Sequence, residues 1–340
     1  MSGKVFHGPL LKAEGRFEVR KVHERTGEKS KADHPAVEVV RRFEALLEDP
    51  AIELVVVNTP NFLHFEQARQ ALEAGKHVVV EKPFTVTSGE AEQLAALASR
   101  KGLVLTVFQN RRWDGDFLTV REVVGGQLLG KLVEYEAHYD RYRNFIEANT
   151  WKEETGPGSG ILYNLGSHMI DQALVLFGMP AAVTADLSTQ RPGASIHDSY
   201  HVVLHYPGLR VVLKSSYLVR EPGPRYILHG LDGSFLKWGL DPQEDALKAG
   251  RLPTEAGWGG EPEAWWGQLN TQVGGLHVTG KVETRPGAYP QFYRNVYAAI
   301  REGAPLAVTP GEAVRLIRVI EAAIRSHESG QTVKTGGEGS

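Results

Sequence analysis

The spacing of apolar and polar positions changes character about a third of the way along the chain. IELVVVNTP (Ile52 to Pro60) and HVVVEKP (His77 to Pro83) are unbroken apolar runs closed by turn residues, the pattern of strands buried on both faces. FEVRKVHE (Phe17 to Glu24) and VEVVRRF (Val37 to Phe43) predict shorter strands, and VLTVFQNRR (Val104 to Arg112) closes the series. Between them NFLHFEQARQALEAGK has helical periodicity and stops at Gly75, while Thr87 and Glu90 have the spacing of a capping box opening a helix through Ala98. Strands alternating with helices over short links predict a parallel sheet covered by helices.

Beyond Arg112 the pattern is different. LVEYEAHYDRYR is followed by a glycine-rich turn, GPGSG (Gly156 to Gly160), and by ILYNLGSHMIDQALVLFG. From Val183 to Tyr217 the residues largely alternate, as in VVLHY and RVVLKSSY, which predicts an antiparallel sheet with one face covered. Gly239 to Gly287 reads as loop, with three tryptophans and little periodicity. QFYRNVYAAIREG and GEAVRLIRVIEAAIRSH predict a closing pair of helices, and residues 334–340 a disordered tail. Two domains are therefore expected, 1–112 and 113–333, as suits a chain of 340 residues.

Composition narrows the function. With 41% hydrophobic and 23% charged residues the chain is of ordinary globular make-up. A net charge of -3 and the lack of any basic block argue against a nucleic-acid partner. Zero cysteines exclude disulfides, thiolate catalysis and cysteine-built metal sites. No apolar run is long enough to cross a bilayer and the opening residues carry no signal-peptide pattern, so no membrane partner is expected and the cytoplasm is the expected compartment.

The first residues carry a fragment of chemistry. In the dinucleotide fingerprint G-x-G-x-x-G the third glycine packs the first helix on the first strand, and an acid about 20 residues later holds the ribose hydroxyls. Gly3 fits that third glycine, with Met1 and Ser2 before it and Glu24 at the right distance. The expectation is a doubly wound sheet lacking its first strand and first two glycines, from a start at an internal methionine or a truncation. Arg25 beside Glu24 leaves NAD and NADP both open, since a guanidinium accepts the extra phosphate.

VVVNTPNFLHFEQARQALEAGKHVVVEKPF, followed by FQNRRWDGDF and GSGILYNLGSHMIDQAL, closely resembles the glucose–fructose oxidoreductase/inositol dehydrogenase (Gfo/Idh/MocA) family. The resemblance implies an N-terminal Rossmann domain binding NAD or NADP. It also implies a C-terminal α/β domain whose large open, mainly antiparallel sheet supplies substrate contacts and a subunit interface, hence a homodimer or higher homo-oligomer. The implied reaction oxidises or reduces a carbinol carbon of a sugar, inositol or similar small polyol. A non-catalytic ligand or cofactor sensor on the same fold, or a truncated inactive form, is the rival reading. Asn164 stands where many members carry an aspartate in D-x-x-x-H.

Alcohol oxidation requires a base for the hydroxyl proton and a positive group for the developing alkoxide. On its tripeptide alone Lys82 reads as a surface lysine at a strand end; the resemblance places it beside the nicotinamide and the reacting oxygen, with Glu81 orienting it or lying near the cofactor. His168 is the expected base. Asn164, His168 and Asp171 fall on one helical face, where a carboxylate would set the imidazole tautomer and raise its pKa. Asn58, Thr59, Pro60 and Asn61, with His64, resemble the family's loop under the ribose and nicotinamide, and Asn110 and Arg111 are expected to close the same pocket. No metal site is expected: His197, His201 and His205 share a face if extended, but four strand residues span ~13 Å against ligand bonds near ~2 Å. A sheet face or subunit contact suits them better.

Overall fold

The computed structural model describes residues 2–148 and 150–336. A π-helical turn, Gly3–His7, leads into α1 (Gly8–Glu14). Then follow β1 (Lys21–His23), β2 (Glu38–Val40), α2 (Glu44–Leu47), β3 (Leu54–Val57), α3 (His64–Glu73), β4 (His77–Val80), α4 (Ser88–Lys101) and β5 (Leu105–Val107). β3, β4 and β5 form a parallel sheet, with Leu54 opposite His77 and Val78 opposite Leu105. Helices cover both faces, so Val78, Val79 and Val80 are fully buried, as an unbroken apolar run requires. The capping box forms as expected: the Thr87 hydroxyl accepts the Glu90 N–H and Glu90 accepts the Thr87 N–H.

β1 and β2 pair with each other, in parallel, but with nothing else. Among the described residues no strand lies between β1 and β3. A cavity of about 1080 Å³ occupies the space, walled by Lys21, Val22 and His23 on one side and by Leu54 to Val57 on the other, with Gly8 and Leu11 of α1 beside it. The expected parallel sheet with helices forms, and among the described residues its strands fall into a pair, β1-β2, and a triplet, β3-β4-β5. The strands expected over 17–24 and 37–43 shrink to three residues each. With no central ladder to extend along, a parallel pair keeps only its own short register.

The second part comprises α5 (Gly115–Gly125), β6 (Leu132–His138), a π turn (Leu162–Gly166) running into α6 (Ser167–Phe177), β7 (Ala182–Ser188), β8 (Ser199–Tyr206), β9 (Leu209–Ser216), β10 (Tyr226–Gly230), β11 (Gly233–Lys237), α7 (Gln243–Lys248), β12 (Gly267–Val273), β13 (Leu276–Val282), α8 (Pro290–Glu302), α9 (Pro310–Ser329) and β14 (Val333–Lys334). One nine-stranded sheet runs in the order β13-β12-β11-β10-β6-β9-β8-β7-β14, antiparallel except for β6 with β9. Alternation on β8 sends Tyr200, Val202 and Leu204 into the core. Two sequence expectations fail here. Gly239 to Gly287 is not all loop: Gly274 and Gly275, both at positive φ, turn the β12–β13 hairpin, which rides outside the core and so lacks an apolar stripe. The tail expected from 334 begins inside β14, where Lys334 pairs with Ala182; residues 337–340 lie outside the described ones.

α8 and α9 pack on both parts. Phe292 and Tyr293 of α8 meet Phe108 and Phe17 edge-on or tilted. α9 bonds α4 through Glu321 to Ser88 and Arg318 to Glu92, and bonds β7 through the Ser326 hydroxyl accepting the Ala185 N–H. No helix among the described residues is long and apolar enough to cross a membrane.

Candidate active site

β4 ends at Val80 and delivers Glu81 and Lys82 to the carboxyl edge of the parallel sheet. Lys82 Nζ donates to the Asn164 carbonyl at 2.7 Å and to Asn164 Oδ1 at 3.1 Å. The π turn over Leu162–Gly166 displaces that carbonyl from regular α-helical pairing, which frees it for the ammonium. Burial pulls the Lys82 pKa down to about 7; Glu81 pulls it up, while Lys152 and Arg111 push it further down. Asn164 Nδ2 donates in turn to the Tyr217 hydroxyl at 3.3 Å. Lys82 and Asn164 therefore meet directly.

His168 stands one turn further along and is buried, with no partner for Nδ1 among the described residues. Its pKa lies well below the ordinary histidine value, first because of burial and then because Lys82, Arg111 and Arg225 surround it with positive charge. The expectation of a raised pKa is overturned, and the reason is Asp171. Its two oxygens accept Arg112 Nε at 2.8 Å and Nη2 at 2.7 Å, so the carboxylate is committed to a buried fork and is unavailable to the imidazole. Arg112 is a residue the sequence reading passed over.

The carboxyl ends of the other strands line the same edge. Gly3 approaches the turn after β3 so closely that a Cβ there would lie 2.8 Å from Asn58 Nδ2. The helix opening at Gly3 thus offers its N-terminal N–H groups beside Asn58 and Thr59, at the rim of the slot. After β5, both amide atoms of Gln109 are buried without a partner among the described residues. Free helix N–H groups, a glycine lying close to Asn58 and an orphaned amide suit a phosphate-bearing dinucleotide. Met1, expected in this group, lies outside the described residues.

The remaining expectations divide. Glu24 lines the slot, but its carboxylate accepts the N–H groups of Lys29 and Ser30 at 2.9 and 2.7 Å, bonds that lower its pKa, with Ser30 the largest influence. Arg25 is exposed beside it. His64 is a structural buckle: its ring nitrogens lie 2.9 Å from the Pro83 and Thr59 carbonyls, and burial lowers its pKa. Thr59 donates to Gln67, and Pro60 precedes the 3-10 turn that starts at Asn61. Asn61 donates to the Gly158 carbonyl at 2.8 Å, fastening the glycine-rich turn. Asn110 is buried beside Arg111, whose guanidinium is held by Glu244, by Asp114 at 3.2 Å and by the Tyr289 hydroxyl at 3.3 Å. Arg111 is thus bound into the second part. The three histidines are split: His205 bonds Thr184 at 2.8 Å, and the His197 ring lies against His327.

Family models match nearly the whole chain: the NAD-binding Rossmann fold of the GFO_IDH_MocA oxidoreductase family over residues 1–109, and its C-terminal alpha/beta domain over 121–335. The chain belongs to the Gfo/Idh/MocA family. This Gfo/Idh/MocA protein is an NAD(P)-dependent oxidoreductase. It is 44% identical over 333 residues to scyllo-inositol 2-dehydrogenase (NADP(+)) IolW of Bacillus subtilis, covering 98% of this chain and 93% of that one. The solved structure of yvaA from Bacillus subtilis matches with a TM-score of 0.95 at 44% identity, over 98% of this chain and 95% of that one. An oxidoreductase from Bacillus cereus matches with a TM-score of 0.91 at 34% identity, over 98% and 96%.

Proposed function

We propose that the protein transfers a hydride between the nicotinamide of NAD or NADP and the carbinol or carbonyl carbon of a sugar, inositol or similar small polyol. The observation that carries this is Lys82 Nζ held on the Asn164 carbonyl and Oδ1, one helical turn before a buried His168 whose Nδ1 has no partner among the described residues. The name of the Bacillus subtilis relative makes scyllo-inositol the first substrate to try. Residues 1–112 hold the dinucleotide, through the helix opening at Gly3, Asn58 and Gln109. Residues 113–333 hold the substrate and, through the open sheet, a second copy of the chain.

The dinucleotide, when bound, supplies the hydride acceptor or donor. In the oxidation direction the carbinol O–H proton passes to the neutral His168 imidazole while the C–H bond gives up its electron pair with the hydrogen. The Lys82 ammonium faces the oxygen as negative charge grows there. The ammonium is present below about pH 7 and is lost as pH rises through that value, so polyol oxidation falls on the alkaline side. His168 is already neutral at neutral pH and contributes no limb there. The test is nicotinamide absorbance during incubation with scyllo-inositol, myo-inositol and glucose, each with NAD and with NADP. Turnover of a cyclitol or sugar is expected. Tight dinucleotide binding without turnover of any polyol would favour the sensor reading.

A further inference from the structure

A buried hydrogen-bond chain reaches Glu81 from the first helical turn and from α8. His7 ends the first π turn with its ring against Phe108, centroids 4.4 Å apart. Its Nε2 lies 2.9 Å from Glu81 Oε1, and its Nδ1 lies 2.6 Å from the hydroxyl of Tyr293 on α8. His7 is 4% exposed and Tyr293 0%. An ionised carboxylate can only accept, so Nε2 carries a hydrogen whether the ring is neutral or cationic. In the neutral ring Nδ1 is then an acceptor, and the Tyr293 O–H donates to it. Glu81 Oε2 accepts the backbone N–H of Lys82 at 3.0 Å, and the Ser2 hydroxyl donates to Oε1. Segments far apart in sequence thus fix the direction in which one carboxylate faces.

We propose that the His7–Tyr293 pair is a positioning device for Lys82: it holds Glu81 ionised and oriented on the Lys82 backbone N–H, and so governs how firmly Lys82 keeps its proton. The device bears on catalysis only through the role proposed for Lys82 above. Burial alone would raise the Glu81 pKa, but the hydrogen bond and charge of His7, with Ser2 and Lys82, outweigh it and hold it at about 2. At Lys82 burial is the largest influence; Glu81 and Glu244 work against it, Lys152 and Arg111 with it, and the Lys82 charge in turn helps to lower the pKa of His168 on α6. Removing the His7 donor leaves Ser2 and Lys82 alone against burial, which weakens the ionised form of Glu81 and with it the negative charge that favours the Lys82 ammonium.

Reductive methylation with isotopically labelled formaldehyde, followed by NMR titration, reads Lys82 without substrate or turnover; Lys82→Arg assigns its signal. Tyr293→Phe, which keeps the ring packing, and His7→Leu are each expected to lower the Lys82 midpoint by about one pH unit. His7→Gln retains an amide donor toward Glu81 and is expected to restore most of the shift. In a polyol assay the alkaline fall in kcat moves down with the midpoint while KM changes little. A Lys82 midpoint unchanged in both Tyr293→Phe and His7→Leu, with only the melting temperature lowered, would mark a purely structural network and overturn the proposal. Absence of polyol turnover would count against the proposed reaction alone, because the titration still reports on the device.

Discussion

The nine-stranded sheet and the parallel sheet treat their edges in opposite ways. In the first, every strand except β13 and β14 is paired on both sides. In the second, five strands fall into a pair and a triplet, and the inner edges of β1 and β3 face each other across the slot. Unpaired strand edges carry backbone groups that fold at a cost and invite a partner. Backbone pairing is thus continuous across the nine-stranded sheet and interrupted in the N-terminal part, where the slot separates β1 from β3. The groups proposed to react come one from each part, Lys82 from the end of β4 and His168 from α6.

The comparison can be broken most sharply by amide exchange. β8 and β9 are expected to exchange roughly 10³-fold or more slowly than β1 and β3, because the former open only with the whole sheet. Similar protection in all four strands would show that the slot is no weakness. Next in size is chemistry at these two groups: Lys82→Ala and His168→Ala are each expected to lower turnover by ~10²–10⁴-fold with dinucleotide affinity within a few-fold. Near-normal turnover in either variant removes that residue from the mechanism.

Filling the slot is the third way. A version carrying an apolar strand and G-x-G ahead of Met1 is expected to bind NADH or NADPH about 10- to 100-fold more tightly, as one or two more N–H groups reach the pyrophosphate, and to melt at a higher temperature. Equal affinity and equal melting temperature would mean that the slot is not a strand site. The smallest effect comes from Asn164→Asp. Because Asn164 Oδ1 touches Lys82 Nζ, the new carboxylate is expected to raise the Lys82 pKa, moving the alkaline limb of the pH–rate profile up by about one unit. A limb that stays in place would separate Asn164 from Lys82.

What was legible in the sequence followed from local rules. The buried runs at Leu54–Val57 and His77–Val80, the Thr87–Glu90 capping box and the alternating strands β8 and β9 each reflect neighbours within a few residues. Gly3 was legible from its spacing to Glu24, and it lies close to Asn58 after β3. What escaped depends on contacts across long stretches of chain. That Asp171 faces Arg112 rather than His168 is decided by how α6 packs on the turn after β5. The His7–Tyr293 bond joins residues 286 positions apart. The β12–β13 hairpin did leave a signal, Gly274–Gly275 between alternating residues, but its strands bury little and so show no apolar stripe.

α9 has a consequence for motion. A two-lobed enzyme commonly opens by swinging its lobes about a hinge. Here one 20-residue helix is bonded on one flank to α4 and on the other to β7, so a swing would have to break the Arg318–Glu92 and Glu321–Ser88 contacts or the Ser326–Ala185 bond. α9 thus ties the two parts together by side-chain bonds on both flanks, and the Asn61 amide, donating to the Gly158 carbonyl, adds a further tie between them.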